Sequence, residues 1–214
     1  MLTQFQTISV WILPVLFAIT VHEAAHAWAA AKLGDDTALR LGRVTLNPLK
    51  HIDMIGTVII PLVMLMVSGF VFGWAKPVPV QFNRLRKLRR DTALVALAGP
   101  GANLIMAILW AIIGRIGLFF VYSGYESALF LVYMGSAGIV INVILMILNL
   151  LPILPLDGGR VLNSILPYDL SRVFEKSEPY GLIILVVLLF SGFLEKIMSP
   201  LIKLVYQPLF WLAG

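Results

Sequence analysis

Long apolar runs separated by short polar stretches make up most of the chain. The first runs from about Ile8 to Ala31 and is closed by Gly34-Asp35-Asp36. A helix of that length crosses a hydrocarbon core of roughly 30 Å at about 1.5 Å per residue. A second run, about Ile55–Phe72, is interrupted by Gly56, Pro61, Ser68 and Gly69. The third spans about Thr92–Tyr122, with Gly99-Pro100-Gly101 predicting a break near its start, and the fourth about Leu129–Leu151. A fifth covers about Tyr180–Phe193, and a last stretch, Met198–Leu212, carries Pro200 and Pro208 and can span, re-enter or lie at the interface. Between the first two runs, Leu39–Leu46 alternates partly and is bounded by Asp and Asn-Pro, which predicts a short β-hairpin. In Gly73–Val80, prolines at 77 and 79 exclude regular helix. The pattern predicts an all-α polytopic membrane protein. It would have four to six transmembrane helices, a short membrane-associated β-hairpin and a re-entrant segment.

Composition turns that pattern into a class. Hydrophobic residues make up 60% of the chain and charged ones 13%, against roughly 45–50% and about 25% in soluble domains. Little sequence remains for a separate soluble domain. Residues 1–214 therefore read as one membrane-embedded unit, with a core over about 8–165 and C-terminal helices over about 179–214. The chain has no cysteine, which excludes disulfides, thiolate metal ligands and a cysteine nucleophile.

Charge orients the chain. The net charge of +5 does not point to nucleic acid, because the basic residues sit in loops. Stretches 32–53, 74–91 and 157–178 hold four, six and three of the sixteen Lys and Arg, and residues 1–21 hold none. The empty N-terminus lacks the positive region of a signal peptide, so cleavage there is not expected. The positive-inside rule places all three basic loops in the cytoplasm and the N-terminus outside. Two of those loops flank the second run, which favours a re-entrant hairpin there over a plain crossing. The run Arg84, Arg86, Lys87, Arg89, Arg90 reads as a topology anchor at the lipid surface.

Only then does the chemistry stand out. Within Ile8–Ala31 the ionisable side chains are those of His22-Glu23-Ala24-Ala25-His26. Histidines four apart lie on one helix face, about 40° apart around the axis and about 6 Å along it, so both imidazoles can reach one metal ion. Glu23 beside them can take a proton from water at that ion. Catalytic zinc usually takes a third protein ligand. Asp157 is the candidate, because an acid at the end of an apolar run is a functional residue by default and it falls at the same predicted depth as the histidines. Pro152, Pro155 and Gly158-Gly159 would unwind the helix end and turn the carboxylate inward. His51 reads as a loop residue with local hydrogen bonds, and Asn103 and Asn142 as links between helices.

These residues resemble the site-2 proteases, the intramembrane zinc metalloproteases of peptidase family M50, in the compact bacterial form without a PDZ domain. The resemblance rests on His22–His26, Gly42-Arg43-Val-Thr-Leu-Asn47-Pro48, Gly73-Trp-Ala-Lys-Pro77-Val-Pro79, Ala98-Gly99-Pro100 with Asn103, and Asn149–Gly159. It implies one Zn2+ per chain held by His22, His26 and Asp157, with Glu23 as general base and acid. It further implies that Asn149 holds the substrate backbone or stabilises the oxyanion, and that region 39–53 offers an edge to an unwound substrate strand. The activity implied is hydrolysis of peptide bonds in or near transmembrane helices, by a multi-pass cell-membrane enzyme whose site faces the cytoplasm. The partners implied are transmembrane protein or peptide substrates and the lipid bilayer, not nucleic acid. Two other readings stand beside it: a membrane zinc carrier, which gives Glu23 no task, and a homologue that binds transmembrane helices without cutting them.

Overall fold

A computed structural model describes residues 3–53, 56, 59 and 76–214. The first helix, α1 (Gln4–Leu33), starts at a capping box. Thr3 Oγ1 accepts from the Gln6 amide at 3.2 Å, and Gln6 Oε1 accepts from the Thr3 amide at 2.8 Å. It ends at Gly34, whose φ of 122° suits glycine and whose missing Cβ leaves room for the Arg84 carbonyl. A short helix α2 (Thr37–Arg40) follows, and then a 3-10 turn at Pro48–Lys50. Helix α3 (Leu88–Tyr122) and helix α4 (Leu129–Asn149) form the centre of the bundle. Two short helices, α5 (Asp157–Ile165) and α6 (Tyr168–Glu175), lead to α7 (Gly181–Phe190) and α8 (Phe193–Ala213).

Three of these helices are long and apolar enough to cross a membrane: α1, α3 and α4. A fourth span results if Tyr168–Phe190 and Phe193–Ala213, bent by 83° at their break, count as one. This meets the lower end of the expected range among the described residues. The expectation for Ile55–Phe72, crossing or re-entrant, lies outside them.

Three expectations need correction. There is no strand among the described residues, so neither a β-hairpin at 39–46 nor a strand edge there for substrate exists. The Arg43 amide bonds to the Ala38 carbonyl at 2.9 Å and the Gly42 amide to the Leu39 carbonyl at 3.0 Å, with Gly42 at φ 64°. That is a Schellman ending, with glycine in the left-handed position just past a helix. These amides are therefore committed to their own turn and cannot enter a ladder. Second, Gly99-Pro100-Gly101 does not break α3, which continues through it. Third, Asp157 does not end a helix but starts one, at a terminus whose dipole favours a carboxylate.

Small residues bring the helices together. A Cβ on Gly135 of α4 would sit 2.6 Å from the Cα of Gly114 on α3, and one on Gly138 would sit 2.1 Å from the Trp110 ring. In a lipid setting such close backbone approach, rather than hydrophobic expulsion, drives association. The main core joins Val10 of α1, Ala107, Trp110 and Ala111 of α3, Ile139 and Val143 of α4, and Leu194 and Met198 of α8.

The end of the bundle near Gly34 is tied by Asp35, which is fully buried. Its carboxylate accepts from the Thr37 hydroxyl and amide and, at 2.6 Å, from the Gln81 amide. Burial pushes this carboxyl up, but the Thr37 hydroxyl, the Gln81 and Thr37 amides and the Arg84 charge outweigh it and hold it below the usual range. The stabilisation is present above the unfolded-state value of about 4 and fades as pH falls through the lower folded value. Asp35→Asn is expected to lose about 1.5–3 kcal/mol at pH 7. The gap from wild type should close on acidification, as followed by thermal unfolding across pH.

Candidate metal centre

The helical spacing of His22 and His26 puts both rings on the face of α1 that packs against α3. Both are buried, with ring centroids 4.6 Å apart. They fit there because residue 99 is glycine. A Cβ at that position would lie 2.3 Å from His26 Nε2 and 2.6 Å from His22 Cε1. The motif expected to break α3 instead admits the histidines.

Each imidazole is oriented from behind. His26 Nδ1 donates to the Val95 carbonyl at 2.7 Å. His22 Nδ1 lies 2.6 Å from Asn103 Oδ1. With the protons on Nδ1, both Nε2 lone pairs point into one space, 3.0 Å apart. Asp157 Oδ2 enters the same space, 3.4 Å from His22 Nε2 and 3.3 Å from His26 Nε2, and has no hydrogen-bond donor of its own. Asp157 is delivered by the turn after α4. Gly158 and Gly159 press against that turn so closely that a Cβ on either would lie 2.1 Å from the Leu150 carbonyl oxygen or 2.5 Å from Ile153.

The geometry fits a metal. Tetrahedral zinc with ligand bonds of about 2.0–2.1 Å separates its ligand atoms by about 3.3 Å. Three acceptor atoms spaced 3.0–3.4 Å apart with no proton between them repel one another unless a cation lies in their midst. Among the described residues, His22, His26 and Asp157 are the one group of three or more His, Cys, Asp or Glu side chains so arranged.

The other expected residues fall as follows. Glu23 is half-buried, and its Oε2 accepts from the Val78 amide at 2.8 Å. The extended segment 76–80 thus passes directly beside the motif. It is held at its start by Arg43, which donates to the Lys76 carbonyl at 2.9 Å, and by the His51 carbonyl, which accepts from the Lys76 amide at 3.0 Å. His51 Nε2 is 3.0 Å from the Thr45 carbonyl, a local loop contact as expected, although the residue is buried. Asn149 is not drawn into the metal group. Its side-chain amide donates to the Leu145 carbonyl in its own helix at 2.9 Å. Sequence reasoning missed four contributors: Gly99 as the space for the rings, the Val95 carbonyl behind His26, Asn103 Oδ1 behind His22, and the Val78 amide on Glu23. Gly99 and Asn103 left a signal, a small and a polar residue in an apolar helix.

With this geometry in place, relatives can be weighed. Residues 116–192 match the model of peptidase family M50. A protein of Bacillus subtilis named "Putative zinc metalloprotease YwhC" is 37% identical over 200 residues, covering 90% of this chain and 85% of its own length. The chain belongs to peptidase family M50. A Mycolicibacterium smegmatis protein named "Putative zinc metalloprotease Rip2" is 30% identical over 85% of the chain and 66% of its own length. Its namesake in Mycobacterium tuberculosis is 30% identical over 81% of the chain and 63% of its own length. No solved structure gives a significant match.

Because the two histidine rings depend on the gap at residue 99, Gly99→Ala is expected to displace both imidazoles. It should abolish stoichiometric zinc binding while overpacking costs about 1–3 kcal/mol of stability. Metal analysis of the purified variant beside its circular dichroism spectrum checks this.

Proposed function

We infer that this M50 peptidase, a zinc-dependent hydrolase, cleaves peptide bonds in or beside transmembrane helices. The observation that carries the reading is the convergence of His22, His26 and Asp157 next to Glu23, on a helix long and apolar enough to cross a membrane. His22, His26 and Asp157 would hold the zinc ion, which would supply Lewis acidity and make water at the site more acidic. The chain's own residues do the rest. Glu23 adjoins the first ligand, and its carboxylate takes a proton from the attacking water and returns it to the leaving amine. The Val78 amide on Oε2 holds that carboxylate in place beside the motif. Asn149 uses one of its two amide protons on Leu145. The other is available to a substrate carbonyl, a donor worth about 3 kcal/mol when aimed at a developing oxyanion.

His22 and His26 lie in the half of α1 nearest the end of the bundle where basic residues gather. The Arg86 amide bonds to the Leu33 carbonyl at the end of α1, at 3.1 Å. By the positive-inside rule that end faces the cytoplasm of a multi-pass cell-membrane protein. A substrate helix must unwind before its peptide bonds become accessible, since a helical amide is covered by its own hydrogen bonds. The natural partners are therefore membrane-anchored polypeptides with a locally weak helix, met within the bilayer.

Purified protein with a synthetic transmembrane peptide tests the reading. Glu23→Gln is expected to keep its zinc and lower cleavage about 10²–10⁴-fold, the range for loss of a general base. Zinc flux into liposomes with no cleavage of any membrane peptide would support a carrier instead, and undiminished cleavage by the variant would remove Glu23 from the mechanism.

A further inference from the structure

Behind His22 lies a chain of buried amides that helix packing alone does not require. Asn103 of α3 and Asn142 of α4 are both fully buried in the bundle. Each bond in the chain decides the orientation of the next. The Gly138 carbonyl can only accept, so Asn142 must turn its NH2 toward it, at 2.9 Å. That leaves Asn142 Oδ1 facing Asn103, whose Nδ2 donates to it at 2.9 Å. The second Asn103 amide proton goes to the Ala18 carbonyl on α1, at 3.1 Å. Both protons are then used, and Asn103 presents only Oδ1 to His22 Nδ1, at 2.6 Å. Nδ1 must therefore carry a proton, and in the neutral imidazole Nε2 then carries the lone pair. The opposite tautomer would set two acceptors against each other at that distance and put an N–H in the space shared with His26 and Asp157.

We propose that Asn103 and Asn142 are positioning residues of the metal centre: a relay that runs from the Gly138 carbonyl through both amides and holds His22 in its metal-binding tautomer before the metal arrives. His26 needs no such relay, because the Val95 backbone carbonyl does the same work directly. The asymmetry makes the device testable, since a side-chain relay can be removed and a carbonyl cannot. It also links three helices to one lone pair. Ala18 lies one turn before His22 on α1, Asn103 is on α3, and Asn142 and Gly138 are on α4. The state of His22 thus depends on the bundle being assembled. The inference rests on His22, His26 and Asp157 forming the zinc site and is independent of which substrate is cut.

The test uses the full chain in detergent, stripped of metal and labelled with 15N-histidine. At pH 8 the imidazole spectrum of wild type is expected to show His22 as the Nδ1–H tautomer with no metal added. Zinc affinity is then measured by competition with a chromophoric chelator. Asn103→Leu and Asn142→Leu are expected to bind zinc about 10–100-fold more weakly, the range seen when partners behind a metal ligand are lost. Both should shift the His22 signals toward a mixture of tautomers. A role confined to tying helices together would lower the unfolding midpoint and leave the affinity and the His22 signals unchanged. That result in folded variants overturns the relay. An Nε2–H tautomer in metal-free wild type overturns it without any variant, and so decides the matter if the leucine variants do not fold. Asp157→Asn separates the two levels. If it binds zinc as wild type does, the site assignment falls and the relay with it. If it loses zinc while the leucine variants do not, only the relay falls.

Discussion

Two imidazole nitrogens and a carboxylate oxygen face one another inside an apolar bundle. Left to themselves, two imidazole lone pairs and a carboxylate at 3.0–3.4 Å would turn away from each other or capture a proton. The rest of the structure holds them in place. Val95 and Asn103 face the backs of the rings, Gly99 makes the space, and the Gly158-Gly159 turn presses Asp157 inward. Gly99 serves both rings and the other contacts one side chain each, so the convergence of the three side chains comes from the packing of several elements and belongs to no single motif.

The same constraint explains the small residues. Helices that must carry polar atoms into lipid gain most from approaching until those atoms meet. Gly114, Gly135 and Gly138 allow α3 and α4 that approach, and Asn142 lies one turn beyond Gly138 to use it. Where the chain leaves the bundle, the organising groups are different. Asp35, Arg43 and Glu23 bind backbone atoms of residues 76–81 and hold an extended, proline-interrupted segment against the site. Prolines at 77 and 79 leave few amides there, and one of those few, at Val78, is bound to Glu23.

Much of this is legible in the chain. His22, Glu23 and His26 follow from helical spacing in a run that otherwise carries no charge, and Asp157 from being an acid where an apolar run ends. The errors share one physical source: a glycine or proline marks a special place without saying which kind. Gly42 reads as part of a hairpin, yet closes a short helix in the left-handed position. Gly99-Pro100 reads as a break, yet serves as a gap for two rings. Gly158-Gly159 reads as a turn, yet lies in the first turn of a helix packed on the chain before it. Gly42 answers to Ala38 and Leu39 and Gly158-Gly159 to Leu150 and Ile153, while for Gly99 the decision rests on rings more than seventy residues away.

By itself the sequence determined the membrane class, the helical register of His22 and His26, and Asp157 as the candidate to join them. Those properties are local or compositional, since hydropathy, a repeat of about 3.6 residues per turn and a lone acid need no neighbour to be read. Only the tertiary structure decided that the three ligand atoms meet, that Asn103 faces His22 rather than a neighbouring helix alone, and that Val78 donates to Glu23. A hydrogen bond is set by angstroms and angles between atoms that lie 81 and 55 residues apart here, and residue order does not encode that separation until the helices pack.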